Sequence, residues 1–311
     1  MSKLRVCITT TILTALMAVT TAGATPPTGV MTASDTAWGV AAEPGTVRTP
    51  AGTGMVTGAY TLAPRASAGW RTLPGTALLV VTGGTMTVTR AEDCATREYE
   101  AGQAAVVPAG RSLVANHGDD PLALYAVFVN LPGGATDPLA GPGETPADGC
   151  TGVTAAPVDI SVAGLTRGTF GVPEGHYHHG QGPAPDAVEQ EAGKAIYVGT
   201  FHVYPGTSIG WHRHPKLLAV LTTGKQYNYY QGRDGRCERT GSYQAGDAYA
   251  HVQATHTKDG HLAVNEGDEV VEVVLVAFNM PPQASPVPLV GNAAGLADHT
   301  PLPPADCPRL R

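Results

Sequence analysis

The chain is short of charged residues and of long apolar segments. Only 14% of its 311 residues are Asp, Glu, Lys or Arg, and the formal net charge is −7. The scattered Lys and Arg residues exclude the dense cationic surface that binds a nucleic-acid backbone. Beyond the N-terminal segment, no stretch is long and apolar enough to cross a membrane. We therefore expect no nucleic-acid partner, and no membrane partner once the N-terminal segment is removed.

Helical periodicity is scarce as well. The sequence contains 39 Gly, 26 Pro and only 4 Phe, and short Val, Leu, Tyr and Thr runs alternate with Gly, Pro and Asp turns. This pattern is typical of many short strands. One segment, DAVEQEAGKA (186–195), predicts a single short helix. The expected fold class is all-β, either a sandwich or a barrel.

Residues 1–24 have the pattern of a secretory signal peptide. Lys3 and Arg5 precede a short apolar run that is diluted by threonine, and small residues permit cleavage after Ala24. A membrane anchor is the alternative, which the shortness of the run disfavours. We expect an exported, soluble protein with an extracellular location.

The rest of the chain contains an internal repeat. VTGAYTLAPRASAGWRTLP (56–74) aligns with YVGTFHVYPGTSIGWHRHP (197–215), and the similarity continues in the same order as far as FVNLPGG and AFNMPPQ. Such self-similarity indicates a duplicated domain. The expected domains are residues 25–150 and residues 151–311.

Four cysteines remain after removal of residues 1–24, and export makes disulfides plausible. Three connectivities are open. We favour Cys94–Cys150 together with Cys237–Cys307, because each bond then closes one copy on itself, as an independently folding ancestor would require. Free buried thiols are the alternative. Each such loop closure adds roughly 3–5 kcal/mol of stability.

Features common to both copies predict structural roles. Trp70 and Trp211 occur at equivalent positions, as do Asn116 and Asn265. Because the pairs recur in a copy that lacks histidines, we expect the tryptophans to pack and the asparagines to hold a turn.

The second copy carries histidines that the first copy lacks. GWHRHP (210–215) places His212 and His214 two residues apart, where GWRTLP (69–74) has Arg71 and Leu73. Residues two apart on a strand point to the same side, so the two imidazoles form a chelating pair. A solvent-facing pair of strand histidines is the alternative. His261 follows downstream and strengthens the metal interpretation.

These residues resemble the two motifs of the cupin family, and the duplication resembles its two-domain members, the bicupins. The first motif, G-x5-H-x-H-x3,4-E-x6-G, is matched by its opening glycine, both histidines and a glycine near its end. The second motif, G-x5-P-x-G-x2-H-x3-N, is matched with about four extra residues before the histidine. The matching residues are Gly206, His212, His214 and Gly224, then Gly246, His261 and Asn265.

The resemblance implies two tandem cupin-like jelly-roll barrels, the second of which binds one divalent metal ion. Mapped residue by residue, His212, His214 and His261 are the metal ligands. The glutamate of the first motif is missing, because its positions are occupied by apolar residues (217–219). A neutral three-histidine set suits Fe, Mn, Zn, Ni or Cu, and the sequence does not choose among them.

The fourth ligand and the substrate contacts stay open. His251 or His256 could complete the metal site, although water-exposed loop histidines are the alternative. In YNYY (227–230), Tyr227 and Tyr229 share one strand face, while Asn228 and Tyr230 share the other. We expect one of these faces to line the barrel, and Tyr227, Tyr229 and His256 are the candidates to lie around the metal ligands. The tyrosine hydroxyls could orient a substrate there, although packing is the more common use of such residues.

Two classes of function compete, and an exported structural or interaction module without a ligand is a third possibility. The first is a metal-dependent, dioxygenase-like oxidoreductase acting on a small organic substrate, with decarboxylase, isomerase or lyase chemistry possible on the same fold. The second is a non-catalytic exported protein that binds a small molecule, a sugar or the metal itself. The expected partner in either case is a small molecule, and the chain is a monomer or a homo-oligomer.

Overall fold

The computed structural model describes residues 31–145, 150, 156–171, 187–212, 216–231, 236–251, 261–282 and 307. Every regular element in these residues is a β-strand, which confirms the all-β expectation. The first ten strands are β1 (Met31–Ala41), β2 (Gly45–Arg48), β3 (Gly54–Leu62), β4 (Ser67–Leu73), β5 (Thr76–Gly83), β6 (Thr85–Arg90), β7 (Thr96–Glu100), β8 (Gln103–Val107), β9 (Gly110–Ala115) and β10 (Leu122–Leu131). The second ten are β11 (Ile160–Phe170), β12 (Ala187–Gln190), β13 (Ala195–Val203), β14 (Ser208–His212), β15 (Leu217–Thr223), β16 (Lys225–Gln231), β17 (Cys237–Gln244), β18 (Asp247–His251), β19 (His261–Val264) and β20 (Val271–Met280).

Each half of the chain forms a jelly roll of two four-stranded sheets. In the first half, the strands follow the orders β3-β10-β5-β8 and β4-β9-β6-β7. The second half repeats both orders as β13-β20-β15-β18 and β14-β19-β16-β17. We call the first sheet of each half its inner sheet and the second its outer sheet. Successive strands alternate between the two sheets except for the hairpins β6–β7 and β16–β17, which lie within the outer sheets. This is the jelly-roll order, so the two tandem barrels of the sequence prediction are present.

The two barrels exchange strands. β1 pairs antiparallel with β13 of the other half and parallel with β8 of its own half. In the same way, β11 pairs antiparallel with β3 and parallel with β18. These two strands join the inner sheets edge to edge, so that ten strands close into one ring. Closure leaves the inner sheets without exposed edges. The division at residues 150 and 151 stays a prediction, and each half contributes one strand to the other.

Both faces of the inner sheets are buried. Along β15, Leu218 and Val220 belong to an apolar core inside the ring, to which both halves contribute. The alternate residues Leu217, Ala219 and Leu221 pack inside the second barrel. Because successive side chains point to opposite faces, a strand buried on both faces must be apolar throughout. This explains why LLVV and LLAVL are continuous apolar runs rather than alternating ones.

The two disulfides cover equivalent places on the two outer sheets. Cys94 is bonded to Cys150, and Cys237 is bonded to Cys307, which is the favoured pairing. Trp70 packs with the first bond, and Trp211 packs with the second. Each disulfide therefore ties a chain segment that follows the barrel onto the outer face of its outer sheet. The tryptophans are buried beneath the bonds, as the packing prediction requires.

The helix expected over 186–195 is wrong for its described residues. Ala187–Gln190 forms β12, which pairs antiparallel with β2. Val188 is fully buried in the core inside the ring, and the backbone beside it is bonded to Asn279. Cross-strand pairing and burial of one apolar side chain therefore override the helical propensity of this polar segment.

The predicted signal peptide, residues 1–24, lies outside the described residues. In the part of the chain that the structure describes, no helix combines the length and apolar content needed to cross a membrane.

Candidate functional site

The second barrel brings two of the three predicted ligand positions opposite each other. β14 pairs antiparallel with β19, and His212 and His261 are direct Cα partners in that register. Direct cross-strand partners have Cβ atoms about 4.5–5.5 Å apart on one face of the sheet. The His261 side chain is only 3% exposed. An ionisable imidazole is thus placed in the interior of the barrel.

The remaining histidine candidates lie outside the described side chains. His214 and His256 are not among the described residues, and only the backbone is described for His212 and His251. His251 ends β18, where it is the Cα partner of Leu217. The complete ligand set therefore stays a prediction, and so does the identity of a fourth ligand.

Tyr227 and Tyr229 lie on the side of β16 that faces away from His261. Both pack with Trp211 and Leu262 against the outer face of the outer sheet. The Tyr229 hydroxyl donates to a Glu266 carboxylate oxygen. Burial and this neighbouring carboxylate raise the pKa of Tyr229 to about 12. These two candidates therefore support the sheet from outside, and the period-2 alternation of the strand excludes them from the interior face.

The interior face of β16 carries the other two residues of YNYY. The Tyr230 ring stacks on the His261 imidazole, with ring centroids 5.3 Å apart and an interplanar angle of 28°. Asn228 is two residues away on the same face and is 1% exposed. Of the two faces left open by the sequence, the structure thus chooses the one with Asn228 and Tyr230.

Asn228 belongs to a cluster of buried polar groups in the same barrel, whose other members, Gln226 and Tyr249, the sequence analysis did not identify. The Gln226 amide nitrogen donates to the Asn228 amide oxygen at 2.9 Å and to the Tyr249 hydroxyl at 3.1 Å. Burial raises the pKa of Tyr249 to about 12, so its phenol is neutral at physiological pH. Gln226 is 3% exposed, and its amide oxygen has no hydrogen-bond partner among the described residues.

The strand beside the predicted metal site carries no carboxylate. Leu217, Leu218 and Ala219 are buried, and the first and third of these pack inside the second barrel. The missing glutamate of the first motif is therefore replaced by packed apolar side chains. Among the described residues, no group of three or more His, Cys, Asp or Glu side chains is placed to hold a metal.

The equivalent interior of the first barrel is filled by the chain itself. Arg71, which aligns with His212, is 8% exposed and is the Cα partner of Ser112, which aligns with His261. Its guanidinium donates to the carbonyl oxygens of residues 68, 139, 140, 141 and 142 at 2.5–3.0 Å. Leu139 of the same segment packs in the core of the first barrel. The first barrel thus has the guanidinium of Arg71 at the position where the second barrel has His212.

A comparison of the two copies would have revealed the polar cluster. Gln226, Asn228 and Tyr249 align with Met86, Val88 and Ala105, all of which are buried in the apolar core of the first barrel. The rule that a residue present in only one copy marks the site, which was applied to the histidines, applies equally to these interior positions. Its use requires knowing which strand face is interior, and the alternation alone does not reveal that face.

No protein-family model matches the sequence, and no curated protein sequence matches it. Among solved structures, the chain is similar to oxalate decarboxylase from Bacillus subtilis. One structure, determined at pH 4.6, is 16% identical with a TM-score of 0.32, and the match covers 80% of this chain and 77% of that chain. Another, from a study of the Mn(II) centres of that enzyme, is 15% identical with a TM-score of 0.31, over 81% of this chain and 79% of the other. Likeness at this level transfers no residue role.

Proposed function

We propose that the second barrel binds one divalent transition-metal ion through His212, His214 and His261, and holds a small organic molecule beside it. The observation that carries the proposal is the buried His261 imidazole on β19, directly opposite the backbone position of His212 on β14. Two imidazoles at direct cross-strand positions are close enough to share one ion.

The donor set determines which molecule would bind beside the ion. Imidazole ligands are neutral, and the described strand next to them offers only apolar side chains at 217–219. Residues 217–219 would therefore leave the charge of a bound dication uncompensated, which favours an anionic oxygen of the small molecule. When bound, such an ion supplies Lewis acidity that polarises that oxygen.

The activity that we propose is an oxygen-dependent oxidation of a small organic substrate by an exported enzyme. The motif resemblance to cupins and the three-histidine set support the oxidoreductase class. Two disulfides support export, because such bonds persist in oxidising compartments. The second candidate is a non-catalytic binding protein. It is favoured by the neutral amide and phenol groups of the interior, Gln226, Asn228 and Tyr249, which are poor general acids and bases.

A metal-binding measurement tests the first part of the proposal. The protein is stripped with chelator, reloaded separately with Fe(II), Mn(II), Zn(II), Ni(II) or Cu(II), desalted and analysed for metal. We expect one ion per chain for at least one metal, and a loss of at least about tenfold in affinity for His261→Ala, because one of three ligands is removed.

His202→Ala is the matched control. This histidine is half-exposed on β13, and its ring nitrogen lies 3.0 Å from a Glu272 carboxylate oxygen. We expect its removal to leave metal uptake unchanged. Full metal uptake by His261→Ala, or equal loss in both variants, contradicts the site. Oxygen consumption by the metal-loaded protein with a panel of small organic acids then separates the enzyme from the binding protein.

A further inference from the structure

We propose that Gln226, Asn228 and Tyr249 form a subsite in the second barrel that recognises the hydroxyl groups of a small hydroxylated carboxylate, of the sugar-acid class. The inference rests on the proposed function insofar as both place the ligand in the second barrel. The first observation is the unpartnered amide oxygen of Gln226, a residue that is 97% buried and is held toward the interior by bonds to Asn228 and Tyr249.

The second observation is that the fold does not need these polar groups. The first barrel has the same strand order and carries Met86, Val88 and Ala105 at the equivalent positions, all packed in its apolar core. A buried polar group with an unmade hydrogen bond costs free energy that an apolar residue of similar volume avoids. The copy that contains the histidines is thus also the copy that contains the unmade hydrogen bond. A structural role common to both copies does not explain why the polar residues are there.

The chemistry of the three side chains defines the group that they recognise. The unpartnered amide oxygen of Gln226 accepts a hydrogen bond, so it matches a ligand group that donates, such as a hydroxyl, and not an ionised carboxylate, which only accepts. The three side chains are neutral, and the phenol of Tyr249 keeps its proton at physiological pH. A neutral hydroxyl is therefore preferred here over a carboxylate, while the carboxylate of the ligand belongs at the histidine end.

The spacing along β16 sets the size of the ligand. Tyr230 is the Cα partner of His261, and Asn228 and Gln226 follow at intervals of two residues on the same face. At about 3.3 Å per residue, they lie about 7 Å and about 13 Å along the strand from the level of His261. A molecule that bridges these levels needs a chain of several carbons, which a two-carbon diacid lacks.

Two probes of equal length and charge test the recognition of hydroxyl groups. D-gluconate and hexanoate are both six-carbon carboxylates, and only gluconate carries hydroxyls. We expect gluconate to bind the full-length protein in calorimetry at least about tenfold more tightly than hexanoate, because a hydroxyl can donate to the buried amide oxygen of Gln226. Equal or tighter binding of hexanoate, or no binding of gluconate to either the Mn(II)-loaded or the metal-free protein, overturns the inference.

A triple variant tests the residues themselves. Gln226→Met, Asn228→Val and Tyr249→Phe together remove the whole polar cluster, and two of the replacements are the residues of the first barrel. We expect a Tm equal to or above that of the wild type and a loss of at least about tenfold in gluconate affinity. The control is Met86→Gln in the first barrel, which we expect to lower the Tm and leave gluconate binding unchanged. A triple variant that loses as much stability as Met86→Gln shows that the cluster is structural and overturns the inference.

The two proposals fail separately. If His261→Ala binds metal as the wild type does, the metal proposal fails, whereas a gluconate affinity that still depends on the cluster supports the subsite on its own. If metal uptake depends on His261 but the triple variant binds gluconate as the wild type does, the metal proposal is supported and the subsite proposal fails.

Discussion

Arg71 occupies the position in the first copy that His212 occupies in the second. Its guanidinium donates to five backbone carbonyl oxygens, four of them in the segment 139–142. Burial lowers the pKa of Arg71, while the carboxylates of Glu144 and Asp137 oppose that shift. The cation stays charged, since arginine is not deprotonated in proteins. The planar Arg71 guanidinium, whose N–H groups donate in fixed directions, therefore holds residues 139–142 against the first barrel.

The residue-scale prediction concerns this donor geometry. Arg71→Lys keeps the charge but replaces a rigid fork by one ammonium group, which leaves several carbonyls without a donor. We expect a loss of roughly 1–3 kcal/mol in the free energy of unfolding, measured by urea denaturation. Arg65→Lys is the control, because that residue is exposed and forms a surface ion pair with Asp119. For Arg65→Lys we expect the free energy of unfolding to change by no more than about 0.5 kcal/mol. An equally small change for Arg71→Lys would show that the guanidinium bonds to residues 139–142 do not stabilise the protein.

The shared asparagines illustrate a residue role that the repeat did predict. The Asn265 amide donates to the carbonyl oxygens of Val203 and Glu269 and accepts from the backbone of Gly267. In the first half, Asn116 donates to the carbonyl oxygens of Ala63 and Asp120 and accepts from the backbone N–H of Gly118. Both asparagines therefore hold the turn before the last strand of each barrel, as their presence in both copies suggested.

At the scale of elements, β4 depends on a glycine where another segment crosses it. Gly69 has φ of +74°, and its equivalent Gly210 on β14 has φ of +85°. A Cβ atom at Gly69 would lie 2.6 Å from the Cα atom of Gly143. Both the left-handed conformation and the close approach of residues 143–144 therefore require glycine.

Gly69→Ala tests that close approach. We expect a loss of roughly 2–4 kcal/mol in unfolding free energy, combining left-handed strain with overpacking against Gly143. Gly52→Ala is the matched control, since Gly52 has φ of +79° but no atom within 4 Å of an added Cβ. It should lose only about 1–2 kcal/mol, the backbone contribution alone. If the two variants lose equal unfolding free energy in chemical denaturation, the backbone at Gly143 has moved away from the added Cβ atom.

At the scale of the whole molecule, the exchanged strands make the two halves interdependent. β1 forms antiparallel register pairs with β13 from Met31 to Val40, and β11 pairs with β3 from Ile160 to Thr169. The core inside the ring takes side chains from both halves. A separated half would lose a sheet neighbour and expose an apolar sheet face, which favours aggregation.

This interdependence predicts the behaviour of a split protein. We expect residues 25–150 and residues 151–311, produced separately under oxidising conditions, to aggregate or to lack a cooperative thermal transition. Produced together, they should form a one-to-one complex with a single transition. Size-exclusion chromatography and calorimetry measure both outcomes. Two halves that each melt cooperatively alone would show that strand exchange is dispensable, and would make the division at 150 and 151 a true domain boundary.

Much of the architecture follows from the sequence, because it depends on local patterns and on comparison of the copies. Short apolar runs between turn residues predict the strands, and their recurrence predicts two barrels. The disulfide pairing follows from the symmetry of the repeat, and the buried tryptophans and turn-forming asparagines follow from their presence in both copies. Each of these inferences needs only chain neighbours or an equivalent residue in the other half.

Other features were decided only by tertiary structure. Alternation along β16 separates Tyr227 and Tyr229 from Asn228 and Tyr230, but only the position of the inner sheet determines which pair faces His261. The exchange of β1 and β11 depends on pairing between residues 98 to 172 positions apart, which no local pattern records. The same holds for Arg71, whose carbonyl partners come mainly from a segment that the repeat does not include. Local propensity determines what a segment forms, whereas burial against distant segments determines which side of it does the chemistry.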